Sequence, residues 1–496
     1  MRLPSLLLFI ALLAGGGARA DAPASAPTLV LHGALTGADH QTYRSVPFDV
    51  PAGVARITIE FDYTGKDEHS VIDLGLLGPD GALRGWSGGN KRTFTISAVD
   101  ATPSYLPTPI VAGRWALLLG VPNLRPHGHA DYTAKVYLSP GLAVADEPAP
   151  LRQPLRAGAA WYRGDLHSHT GHSDGSCASA QGVAVPCPVF VTARAAQARG
   201  LDFLAVTDHN GVAHANTLRE LQPYFDNVLL MPGRELTSFY GHANLFGTLA
   251  PVDFRVAGDA RAGWDALLAR LPAHALVSIN HPVRPSGEAC MGCGWDAATD
   301  MRRVQAIEAV NGADADTPYS GIPFWQRQLD AGLRITAIGG SDSHRPDEGA
   351  LGKPTTVVYA SALSQQAVID AIRAGHVFVD VAGTRDRMLT LRARVGEVEA
   401  MMGDALAAPA GAHVRLAVRV EHAAQASVRL LVDGRDGGLA GDAALASAVA
   451  ERTADWLSDG ARHTVRAEVR DAQGKLLLLG NPIYLNAAPA TPAGGG

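Results

Sequence analysis

Short aliphatic runs that each lead into a histidine or a carboxylate constrain this chain more than any other feature. Phe203 to Val206 precedes Asp208 and His209, Val228 to Met231 precedes Glu235, Ala275 to Ile279 precedes His281, and Ile335 to Ile338 precedes Asp342 and His344. Such runs, closed by Gly or a polar turn, read as buried parallel strands. Helical stretches lie between them at Val189 to Arg199, Ala260 to Leu271, Phe324 to Gly332 and Ser364 to Ala374. Strand alternating with helix predicts an α/β fold, a barrel or a doubly wound sheet. Only a closed barrel brings the C-terminal ends of all its strands, and so all these polar groups, to one cavity.

The polar groups belong to six strings in fixed order: GDLHSHTGHSDG (164–175), VTDHN (206–210), GREL (233–236), GHANLFG (241–247), INHP (279–282) and GGSDSH (339–344). Together they hold seven histidines and five carboxylates, and no sulfur. Imidazole mixed with carboxylate suits Zn, Mn or Fe. The ordered ensemble carries the signal, because a lone HxH is common. His127 and His129 form one in RPHGHADY with no TDH string after it, and they read as an exposed loop.

With these strings the chain resembles the PHP (polymerase and histidinol phosphatase) superfamily, and within it the CehA/McbA branch, named after enzymes that cleave the carbamate pesticide carbaryl. The resemblance covers about residues 155 to 390. It implies a distorted (β/α)7 barrel holding two or three divalent metal ions, Mn, Zn or Fe. His167 and His169, on alternate positions of an extended segment, point to one side and grip one ion, which Asp342 completes. Glu235 bridges to a second ion, bound by His281 and joined by His242. By resemblance, Asp174, His209 and His344 take a third. Some superfamily members supply a histidine near the Asp174 position, and His172 lies two residues away, so two ions are the minimum expectation. Asp165, Asp208 and Glu308 are expected to hold the ring nitrogens that do not face metal. His214, His274 and His376 have no motif context and read as surface or core histidines.

Paired cations lower the pKa of a shared water to about 7, so metal-bound hydroxide is the expected attacking group on a phosphoester or on a carbamate or carboxylic ester. Glu235 and Asp342 hold the metals, Asp342 or His344 moves the proton, and Arg284, with Arg345, is the nearest cation for an anionic group. There is no GxSxG and no GxxxxGK[ST] string, which argues against a serine nucleophile and a nucleotide-driven enzyme. A non-catalytic glycan- or protein-binding module on a decayed scaffold is the rival reading.

A chain of 496 residues exceeds one hydrophobic core. Arg2, the apolar run Leu6 to Leu13 and the end Ala18-Arg19-Ala20 predict a signal peptide over 1–20. The run is too short to span a bilayer, so a periplasmic or secreted protein without membrane insertion is expected. Net charge is −6 with no basic stripe, which argues against a nucleic-acid partner and leaves a small-molecule ester as the expected one. Four cysteines in an oxidising compartment favour disulfides. Three pairings are possible. Local pairing of Cys177 with Cys187 and Cys290 with Cys293 is expected, a cross-link between the two loops is the rival, and CMGC as a metal site is a third option.

Alternating strands with GPDG and SGGN turns predict an N-terminal β-sandwich over 28–145. The Pro-rich stretch Glu147 to Arg156 marks the boundary to the metal-site domain, 155–388. A second, smaller β-sandwich is expected over 389–486, and the tail 487–496 reads as disordered.

Overall fold

The computed structural model describes residues 26–98, 101–140, 154–249, 252–256, 258–295, 297, 299–438, 444–445 and 447–487. The expected signal peptide, most of the Pro-rich boundary and nearly all of the tail lie outside the described residues.

Two four-stranded antiparallel sheets form the N-terminal region. One orders Leu29–Thr36, His129–Pro140, Val54–Tyr63 and Thr93–Ser97; the other orders Tyr43–Val50, Gly113–Asn123, Val71–Leu77 and Leu83–Trp86. Their facing sides bury Ile57, Ile59, Phe94, Ile96, Trp115 and Leu117. Alternation along each strand sends the intervening residues to the opposite face.

The central region corrects the expectation of an α/β (β/α)7 barrel. Among the described residues the whole chain has five α-helices against twenty-nine strands, too few helices to ring a seven-stranded barrel. The central strands belong instead to one fifteen-stranded mixed sheet that runs from Thr336–Gly340 through Arg156–Asp165 into the C-terminal region. Phe203–Val206 lies parallel to both Arg156–Asp165 and Leu229–Ser238, and Ala306–Asn311 is parallel to Leu276–Ile279 and Thr336–Gly340. Leu229–Ser238 turns through only Phe239 and Tyr240 into Gly241–Phe246. That hairpin is antiparallel, because two residues cannot carry a crossover helix. Gly241–Phe246 then meets Leu276–Ile279 antiparallel as well.

The aliphatic runs are buried on both faces. Phe203, Ala205, Leu229 and Met231 pack inward with Leu166 and Ile338, while Leu204, Val206 and Leu230 pack against Ala193 and Ala196 of the helix Val189–Arg199. Leu204→Ala in this closed packing costs roughly 2–5 kcal/mol. The helix Gln365–Ala374 starts at Ser364, whose Oγ accepts from Ala367 N, and stops at Gly375 with φ of +78°.

Hydrogen bonding does not break at residue 388. Val377–Asp380 pairs with Leu476–Gly480, and Val357 and Phe378 lie in the core formed with Leu389, Leu416 and Val465. A four-stranded sheet, Val398–Met401, Met388–Val395, His413–Glu421 and Val449–Leu457, closes that core. Among the described residues no helix is long and apolar enough to cross a membrane.

Candidate metal centre

Every polar string except GREL begins within two residues of a strand end, whereas GREL lies inside Leu229–Ser238. Asp342 follows Thr336–Gly340, His281 follows Leu276–Ile279, and His167 follows Arg156–Asp165. Positive φ angles at Asn210 (57°), His281 (26°) and Asp342 (54°) bend the chain sharply at these ends. Such conformations cost on the order of 1–3 kcal/mol each in non-glycine residues and concentrate at functional sites. Backbone bridges join Ser168 to Ser343 and His209 to Glu235, so the first string lies beside the last although the sheet ladder does not close. Gly340 allows this approach, since a side chain there would run into Glu308 Oε1 and His167 Cβ.

Glu235 stands at the middle. Its Oε1 lies 3.2 Å from His242 Nδ1, 3.3 Å from His281 Nε2 and 3.5 Å from His167 Nε2. Its Oε2 lies 2.9 Å from His209 Nδ1 and 3.6 Å from His169 Nε2. Asp342 Oδ1 is 3.4 Å from His167 Nε2 and 3.3 Å from His169 Nε2. Asp174 Oδ1 is 3.5 Å from His209 Nε2 and 3.4 Å from His344 Nε2. The nine residues singled out as ligands thus come together. They form three overlapping groups whose ligand atoms lie within 4.8 Å of one another: His167, His169 and Glu235; Glu235, His242 and His281; and His169, Asp174, His209 and His344. Asp342 touches the first.

The chemistry of the donor set fits divalent cations. His167 Nδ1 donates to Glu308 Oε1 at 2.7 Å, His242 Nε2 to the Met291 carbonyl at 3.0 Å, and His344 Nδ1 to the Asp342 carbonyl at 2.9 Å. Each of these partners is an acceptor, so a ring proton sits on that side and the other nitrogen is left to take a proton or a metal ion. Those nitrogens face Glu235, Asp342 and Asp174 oxygens, which are also acceptors, so a proton or a metal cation has to lie between each pair. The pKa directions express the same frustration. Burial alone pulls the His167 imidazolium down, but Glu308, Asp342 and Glu235 hold it well above its ordinary value. Burial pushes Glu235 up, yet His167, His242 and His209 hold it well below the carboxylate range.

The expected supporting carboxylates all bind backbone or ring donors. Glu308 Oε2 accepts from His281 N at 3.0 Å. Asp208 accepts from Thr170 N and Thr170 Oγ1, each at 2.7 Å, and Asp165 from Ser341 N and Gly352 N at 3.0 and 2.7 Å. Arg284 donates to Asp342 Oδ2 at 3.2 Å, Asp314 Oδ2 at 2.9 Å and Asn311 Oδ1 at 2.6 Å; it therefore positions Asp342. Arg345 pairs with Glu348. His172 Nδ1 accepts from Ser104 N at 3.0 Å, which directs that ring to the N-terminal region and away from Asp174. His214 is buried, with Nδ1 3.2 Å from Asp208 Oδ2. His129 is exposed beside Asp131.

Four contributors were not singled out from sequence. Asn280 Nδ2 donates to Glu235 Oε1 at 2.9 Å, and Thr237 Oγ1 lies 2.7 Å from His209 Nδ1. Asn280 sits inside INHP, so that string carried a signal for it. Met291 acts through its carbonyl, which no residue type encodes. The fourth is the N-terminal sheet, whose Tyr43, Asp73 and Trp86 line the same cavity of about 560 Å³. The structure pairs Cys177 with Cys187 and Cys290 with Cys293.

No family model and no curated protein matches the chain. Among solved structures, a two-domain protein containing a predicted PHP-like metal-dependent phosphoesterase from Bacteroides vulgatus matches at 18% identity and a TM-score of 0.37, over 68% of this chain and 100% of that one. The lesion-specific endonuclease EndoQ from Pyrococcus furiosus matches at 17% identity and a TM-score of 0.27, over 43% of this chain and 56% of its own.

Proposed function

We propose that the chain is a metal-dependent hydrolase of the PHP type, working on a small-molecule ester in the periplasm or outside the cell. The observation that carries this reading is the set of rings whose outer nitrogens are held by Glu308, Met291 and Asp342 while their inner nitrogens converge on shared carboxylate oxygens. His167, His169, Glu235, His242, His281 and Asp342 would hold two cations, and Asp174, His209 and His344 a third. Bound there, divalent cations supply an activated water and charge to neutralise the oxyanion that develops on the ester.

The chain's own groups do the positioning. Glu308 fixes His167 and the His281 backbone, while Arg284 fixes Asp342. With two cations, His344 is free to hold or move a proton at Nε2; with three it is a ligand and Asp342 takes that role. The disulfides accord with an oxidising compartment.

The test is hydrolysis by metal-stripped protein reloaded with Mn, Zn or Fe. Aryl phosphate monoesters and diesters, an aryl acetate and a naphthyl methylcarbamate separate the phosphoester from the carbamate and carboxylic ester readings. Less than one metal equivalent after reloading, with no metal-dependent turnover on any of them, overturns the proposal.

A further inference from the structure

The wall of the cavity opposite the metal ligands comes from the outer face of an N-terminal sheet. In that sheet Tyr43 pairs with Gly120 and Gly120 with Asp73, so the three residues lie in a row across adjacent strands. Ile72 and Leu74, either side of Asp73, are buried in the sandwich core, and alternation therefore turns Asp73 outward. Gly120 leaves the gap in this row that Trp86 fills, since a side chain there would strike the indole. Gly88 and Gly89 keep the approach to Asp73 Oδ1 open, because a Cβ at either would stand beside it, at 3.9 and 3.6 Å.

Three aromatic rings frame the carboxylate's surroundings. Tyr43 stacks on Phe239 at 5.1 Å and meets Trp86 edge-on at 6.1 Å, and all three line the cavity. Among the described residues nothing donates a hydrogen bond to Asp73 and no cation pairs with it; the charges that reach it, His209 and Asp174, belong to the metal centre. Asp73 is half-buried, so its carboxylate is open to the cavity, and the aromatic faces beside it attract cations too.

We infer that Tyr43, Asp73 and Trp86 form a subsite for a protonated amine carried on an apolar or aromatic part of the substrate, with Asp73 as its counter-ion. The inference deepens the hydrolase reading, on which its description as a substrate subsite rests. It makes the N-terminal region a determinant of specificity for chemistry performed by the central one.

The probes are tyramine and p-cresol, which share a phenol and differ by the ammonium, titrated calorimetrically into metal-loaded full-length protein. Burial pushes the Asp73 carboxyl up to about 7, so the titration is run at pH 8, where it is ionised. Tyramine is expected to bind at least about 10-fold more tightly, and Asp73→Asn to reduce the preference to within about twofold. Equal binding of the two probes by the wild-type protein overturns the inference even if the variant does not fold, as does a preference that survives in a folded Asp73→Asn. Metal content and ester turnover, measured on the same samples, separate the outcomes. An Asp73-dependent preference without turnover removes the hydrolase reading and keeps the amine site, whereas turnover without preference does the reverse.

Discussion

His242 donates its Nε2 proton to the Met291 carbonyl, 3.0 Å away, and this single bond leaves Nδ1 to take a proton or a metal ion in the cavity. Glu235 Oε1 stands 3.2 Å from that nitrogen and close to His281 and His167 as well. Glu235→Gln keeps the volume and removes the charge that holds two cations near each other. Metal content should fall together with activity, the latter by at least about 100-fold, on the order of ligand-shell losses. His129→Ala, in the exposed HxH beside Asp131, should change neither. Near-normal turnover and metal in Glu235→Gln, or equal damage from His129→Ala, contradicts the assignment.

Glu308 is the second lever, and it acts through others. One of its oxygens accepts from His167 Nδ1, and the other from His281 N and from Asn311 Nδ2 at 2.9 Å. A glutamine offers only one acceptor oxygen, so either the His167 ring or the His281 backbone loses its partner. Competition against a fluorescent chelator should show Glu308→Gln binding metal about 10- to 100-fold more weakly. Full affinity with altered kcat alone would place Glu308 in the reaction and not in ligand support.

How much of this was legible beforehand differs between levels. The strings could be read because a metal site needs particular side chains, and side chains are what a sequence spells. Glu235, His242 and His281 sit together as their strings imply. Strand direction was legible only in part: Leu229–Ser238 runs parallel to Phe203–Val206 as its aliphatic start suggests, but the two-residue turn after it sends Gly241–Phe246 back as a hairpin. The α/β barrel expectation failed there, and again at the continuous ladder from Val377–Asp380 into Leu476–Gly480. Asp73 could not be found either, because its place in the cavity depends on how two regions pack and no local pattern marks it.

Metal removal should lower stability as well as activity. The ligand set brings together residues from strands distant in sequence, and bound cations tie them to one another. A ligand present at about 100 times its Kd stabilises by roughly 2.7 kcal/mol. Calorimetry should therefore show a higher melting temperature with added metal, rising with its concentration. A melting temperature unchanged by chelator and by reloading contradicts the site.

Cys177 and Cys187 close a ten-residue separation directly against the first string. Cys187 O accepts from Gly171 N at 2.6 Å, and Cys187 N donates to Gly175 O at 2.8 Å. No thiol should titrate in the native protein. Replacing both cysteines by serine should destabilise by roughly 2–3 kcal/mol through loop entropy. Four alkylatable cysteines without reductant would contradict the oxidising compartment.

Stability in the C-terminal region should depend on pH through His463. His463 Nδ1 faces Asp433 Oδ2 at 2.6 Å, and its Nε2 faces Asp459 Oδ1 at 3.1 Å. Both partners accept, so only the imidazolium, with a proton on each nitrogen, satisfies both. Burial lowers the His463 pKa, but the two carboxylates outweigh it and the net direction is upward from 6.5. A histidine raised on folding contributes stability that is fully present below the unfolded value of 6.5 and is lost as pH climbs through the folded one. The stability difference between wild type and His463→Gln should therefore be largest below pH 6.5 and shrink as pH rises above it. Chemical denaturation at pH 5.5, 7 and 9 measures this. A difference that grows with pH would show the neutral ring to be the favoured form.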